Sequence, residues 1–177
     1  AGGVAAGANI SFSSTLNGST ALTLRAGTGG VVSFGGAVGG TTPLTNLVFT
    51  SASSIQVGNN ITVSGANPLV FSAPVSLTGT STITSNNANV TFSSTLNGAQ
   101  ALTVAGGTGT TTFTGAVGGT TPLTSLSVTA ATVTQSSTAQ TTGAVSYTGS
   151  TAINVGGIVR TAGGIITMTG LVVVSGS

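Results

Sequence analysis

Hydroxyls are the chain's most abundant reactive groups, and no side chain beside them can activate them. Serine and threonine run through all 177 residues, with threonine alone roughly a fifth of the chain. A nucleophilic hydroxyl needs a neighbouring base, and acid–base catalysis needs a group that titrates near the working pH. The sequence has no Asp, Glu, His, Cys or Lys, and its two charged side chains are Arg25 and Arg160. Metal sites need carboxylate, imidazole or thiolate ligands, so none is expected. The "GTGG" of Gly27–Gly30 lacks the lysine and the following helix of a phosphate loop. The expectation is a protein that is not an enzyme, with no catalytic, cofactor-binding or metal residues and no cofactor.

The charge balance narrows the partners. A net charge of +2 with a pI near 10.8 reports the lack of acids rather than a basic surface. Two cations cannot neutralise a run of phosphates, so nucleic acid is not an expected partner. Soluble domains carry on the order of a quarter charged surface residues, which resist association. This surface invites contact with copies of itself or with another solid. Arg25 falls out of phase with Leu22 and Leu24 and should face outward. Arg25 and Arg160 are the candidate interface residues, because a guanidinium brings five donors and finds no carboxylate here. Sequons begin at Asn9, Asn17, Asn60 and Asn89, but such triplets arise by chance in this composition. No apolar run approaches the ~20 residues of a spanning helix, and "LVVV" at Leu171–Val174 is strand-sized. The opening "AGGVAAGANI" does not read as a signal peptide, and the lack of cysteine excludes a disulfide framework.

The elements that carry these residues show in the repeats. "NISFSSTLNGSTALTL" (Asn9–Leu24) returns as "NVTFSSTLNGAQALTV" (Asn89–Val104). "GAVGGTTPLT" (Gly36–Thr45) returns letter for letter at Gly115–Thr124. The match then fades, with Leu69, Val75 and Leu77 set against Tyr147, Ile153 and Val155. "IITM" (Ile165–Met168) stands where "NVTF" (Asn89–Phe92) stood. The chain therefore reads as one segment with internal repeats over 9–88 and 89–164 and the start of a third copy at 165. Tyr147, in place of Leu69, is expected in the core or at a corner with its hydroxyl exposed.

Within each copy there is a shorter beat. Apolar residues at i and i+2, separated by Ser, Thr or Asn, are strands with one buried face. One anchor from each gives Phe12, Phe34, Ile55, Val75, Phe92, Phe113, Val133, Ile153 and Met168 as a core ladder. Further pairs such as Leu22/Leu24, Leu47/Phe49 and Leu102/Val104 lie between them. Several short strands in about 20 residues, with Gly- and Asn-rich corners, predict a parallel β-solenoid of about nine coils. Stacked at about 4.8 Å, these make a rod roughly 40 Å long. In "GAVGGTTPLT" the glycines serve the bends, Val38 points inward, and Pro43 sits where no ladder donor is needed.

The stretch "NVTFSSTLNGAQALTVAGGTGTTTFTGAVGGTTPLTSLSVTA" (Asn89–Ala130) resembles the β-strand repeats of giant bacterial surface proteins. These are the filamentous-haemagglutinin-like and autotransporter-type adhesins. "TTGAVSYTGSTAINV" (Thr141–Val155) resembles the next segment of the same repeat, and the likeness covers most of the chain from Asn9 onward. It departs in lacking the scattered Asp of such repeats. The resemblance implies a secreted, right-handed parallel β-helix in a cell-surface stalk or fibre. It further implies partners such as surface glycans or other cells, met through other parts of a longer parent. The expected function is a structural repeat segment of an extracellular bacterial fibre, stalk or adhesin filament that self-associates end-to-end or laterally. The alternative is a surface-binding module for ice or carbohydrate. It needs a flat, regular array of outward threonines, and the drift of coil length from about 15 to 22 residues speaks against it.

Overall fold

A computed structural model describes residues 6–175, in which short strands joined by tight corners make up all of the regular structure. Every strand pairing is parallel, and each joins residues about one coil apart in sequence. The chain is a right-angled stack in this sense: strands lie across the rod and ladders run along it. It winds as a β-solenoid of about eight coils with about 21 residues per coil.

Three faces make up each coil. On the first face, Ile10, Val32, Ile55, Val75, Leu96, Val117, Ala139 and Val159 sit in one axial column. On the second, the column runs Leu16, Val38, Ile61, Ile83, Val104, Val128, Tyr147 and Met168. On the third, Leu24 pairs with Phe49, whose ring stacks on Phe71, and the column continues through Phe92, Phe113, Gln135, Val155 and Val174. The second and third faces merge where the long strands Ser125–Gln135 and Val145–Val155 run from one into the other. Alternation explains the columns. In Ser81–Ser85, for example, Ser81, Ile83 and Ser85 are buried and the two threonines between them are half-buried. Each fully buried Val, Leu, Ile or Phe contributes about 1.5–3 kcal/mol, and no coil could hold its set alone.

All six phenylalanines form one continuous aromatic run. Phe12 and Phe34 stack on the first face at 5.4 Å, and Phe34 meets Phe49 edge-on at 6.1 Å. Phe49, Phe71, Phe92 and Phe113 then stack up the third face, with centroids 4.7–5.5 Å apart. Offset or edge-on pairs of this kind add about 0.5–1.5 kcal/mol beyond their buried area.

Two expectations are corrected. The nine anchors stand in eight coils because they do not share one column. Phe12, Phe34, Ile55 and Val75 lie on the first face; Phe92, Phe113, Val133 and Ile153 on the third; and Met168 on the second. The shortest apparent coil steps come from these changes of face, although the second and third faces still vary between 19 and 25 residues per coil. Followed along the first face, the steps from Ile10 to Val159 are all 20 to 23 residues.

The same change of face shows that repeat and coil are out of step. Phe12 on the first face, Phe92 on the third and Met168 on the second occupy equivalent places in the repeated sequence. Each copy thus advances three coils and two faces, eleven strand positions in all. Successive copies are turned by one face about the rod.

Candidate functional site

The structure places all nine anchors in the apolar interior, Phe12 and Met168 being half-buried at the two outermost coils. The arginines do not meet. Arg25 is exposed on the third face of the first coil, and its Nε donates to Thr50 Oγ1 at 3.4 Å. Arg160 is exposed on the first face of the last coil, and its Nε and Nη2 donate to Gln140 Oε1 at 3.0 and 2.5 Å. Each guanidinium is spent on a neutral acceptor of the adjacent coil.

Tyr147 overturns the expectation of an exposed hydroxyl. It is fully buried, and its hydroxyl crosses the interior to donate to Gln135 Oε1 at 2.8 Å. Gln135 Nε2 in turn donates to the Ser137 carbonyl at 3.0 Å. Gln135 fills the column position directly after Phe113, so a polar pair replaces the aromatic run there. Burial pushes the Tyr147 phenol well above its usual value. Thr111 Oγ1 is buried without a hydrogen-bond partner among the described residues.

The corner asparagines do more than mark bends or sequons. Asn9 Oδ1 accepts from Val31 N, Asn60 Oδ1 from Thr82 N, and Asn89 Oδ1 from Thr110 N, at 2.8–2.9 Å. Asn17 Oδ1 accepts from Thr41 N and Thr42 N at 3.0 and 3.2 Å. All four therefore tie one coil to the next. The signal was in the sequence: an asparagine directly before Ile10, Ile61 and Val90, where a strand begins.

Asn17 belongs to a larger construction that occurs twice. In the first copy Val38 bridges Ile61 and Leu44 bridges Val63, so the next coil spans with Thr62 what this coil spans with residues 39–43. The extra residues leave the sheet as a loop. Gly39 turns the chain at φ 68°, with its amide on the Leu16 carbonyl at 2.7 Å. A Cβ there would collide with the Thr62 carbonyl. In the second copy Val117 bridges Ala139, Leu123 bridges Thr141, and residues 118–122 leave the sheet. Gly118 has the same φ and bonds to the Leu96 carbonyl at the same 2.7 Å. Asn97 Oδ1 accepts from Thr120 N and Thr121 N at 2.9 and 3.2 Å. The repeated phrase is therefore a strand position interrupted by a rigid loop, with Val38 buried inward and Pro43 closing the excursion.

Apart from Arg25 and Arg160, the flanks are neutral. On the second face, outward positions form two columns: Thr82, Thr103, Ser127, Ser146 and Thr167, beside Thr62, Thr84, Ala105, Thr129, Thr148 and Thr169. At the last coil the inward positions are uncovered. Ile166, Val172 and Val174 are exposed, with Ile165 and Val174 about three-quarters so, at 75% and 74%. The chemistry available is packing, backbone pairing at this edge and neutral hydrogen bonds from the flanks. Comparison of the chain with family models, with curated proteins and with solved structures returns no match.

Proposed function

We propose that the chain is a structural repeat segment of an extracellular bacterial fibre, stalk or adhesin filament, and that it associates with copies of itself. The observation that supports this is the set of three columns that stack coil on coil, each strand offering its edge along the axis. Strand edges of this kind accept another strand unless charge, proline or a cap blocks them. A further coil of the same polypeptide or the first coil of a second copy completes the edge equally well. Adhesion to glycans or cells belongs, on this reading, to other parts of a longer parent. The test is sedimentation of the purified chain beside an Ile166→Lys/Val172→Lys variant, with circular dichroism to check the fold. Both lysines would stand over exposed core positions. The wild type should form species longer than one chain, and the variant should stay as single rods. A wild type that remains a single rod at every concentration contradicts the proposal.

A second reading, a surface-binding module for ice or carbohydrate, gains support from the paired hydroxyl columns. They repeat at about 4.8 Å between coils and about 6.6 Å along the strand, with Ala105 as the one break in the second column. No aromatic ring faces outward to stack on a sugar, since the six phenylalanines and Tyr147 all lie in or against the interior. That favours ice within this reading. Inhibition of ice recrystallisation, abolished by Thr84→Lys and Thr103→Lys, would support it; no inhibition by the wild type would end it.

A further inference from the structure

The loops 39–43 and 118–122 contribute little to the interior, yet they are the most faithfully repeated part of the chain. The ten letters around them are identical, whereas the segments that follow have drifted to Tyr147 for Leu69 and Gln135 for Val57. Interior positions can change together, as the mutually bonded Tyr147 and Gln135 show. A projecting loop held letter for letter has a different constraint, and a rigid one is suited to contact. Rigidity is built in by the asparagine of the preceding coil, which takes both amides at the tip, and by the amide of Gly18 or Gly98 on the carbonyl of Thr42 or Thr121. The tips present exposed glycine backbone and the threonines at 41, 42, 120 and 121.

We propose that these loops are the lateral contact points between copies of this chain. The inference rests on the fibre reading above. The occupant follows from charge and from geometry. The tips carry no charge, so an acidic membrane or a nucleic acid gains nothing from them. A matching surface offers neutral donors and acceptors, and the same loop tip on a neighbouring rod does so with its threonine hydroxyls and glycine backbone. The rotation of the repeat supplies the rest. The first loop leaves the second face and the second loop leaves the first face, about 18 Å further along at three coils and two faces per copy. Two identical knobs on different sides cannot both serve one flat partner, but they join one rod to two neighbours. A third copy, which starts on the second face at Ile166–Thr169, turns in the same direction by the same step. The sequence repeat thus distributes one contact element around the rod, which builds a bundle rather than a pair.

The chain has no cysteine, so single thiols can be placed at will. Thr41→Cys, Thr120→Cys and the double variant are treated with a short thiol cross-linker, beside Thr103→Cys on the flat second face. Circular dichroism checks each fold. Each loop variant should give several-fold more covalent dimer than Thr103→Cys, and the double variant should give species of three or more chains. Monomer alone from the loop variants, or equal yield from Thr103→Cys, overturns the inference. Filaments that form without loop cross-links reject the loops and keep the fibre; loop cross-links without filaments do the reverse.

Discussion

At the residue scale, one polar pair and one orphan hydroxyl set the measurable behaviour. No side chain titrates between about pH 2 and pH 9, because carboxylates, histidine and lysine are absent. Acid unfolding mostly reflects native carboxylates taking up protons, so the melting temperature should stay flat down to about pH 2. Tyr147 governs the alkaline side. Its folded-state pKa is raised by burial, so the folded chain favours the neutral phenol. That stabilisation is complete below the unfolded value near 10 and is lost as pH rises through the folded value. Melting followed by circular dichroism should be level to about pH 9 and fall above about pH 10; Tyr147→Phe should flatten the fall. At neutral pH the same change should cost about 1–2 kcal/mol, because Gln135 Oε1 loses its buried donor. Thr111→Val should act the other way. It removes an unpaired buried hydroxyl and should stabilise by about 1 kcal/mol, read as a higher urea midpoint with unchanged slope. The flat acid side was legible in the sequence; the Tyr147–Gln135 pair and the unpaired Thr111 hydroxyl were not. Gln135 lies twelve residues from Tyr147 and on another face, and spacing alone does not show that their side chains meet.

At the element scale, strands were legible and their partners were not. Alternation at Ile10/Phe12, Val75/Leu77 or Ile153/Val155 marks a half-buried strand wherever it occurs. It carries no sign of which face the strand occupies, since all three faces show the same period of two. Anchors chosen for their resemblance therefore slid from one column to another at Val75 and again at Ile153. The corner asparagines were visible as residues but not as links, because their acceptor role depends on a coil stacked above. That role is testable. Asn17→Ala and Asn97→Ala each remove two hydrogen bonds to a loop tip and should cost about 1–2 kcal/mol. Amide exchange at Thr41, Thr42, Thr120 and Thr121 should accelerate, while the strands keep their protection. Uniform acceleration along the chain would show that the asparagines hold the coils and not the loops.

At the scale of the whole molecule, two periods share one rod. The coil sets a step of about 21 residues and stacks like on like; the sequence repeat sets a step of eleven strand positions and turns each copy by one face. The second follows from the first once the pairings are known. Its consequence is a sparsely charged rod that carries the same loop on successive sides. Electron cryo-microscopy of the purified chain at neutral pH tests the central claim most directly. The account predicts three-sided rods with an axial layer repeat of about 4.8 Å, joined lengthwise into filaments. Compact particles without that axial repeat would contradict the solenoid itself, and isolated rods of eight coils would contradict its growth into a fibre.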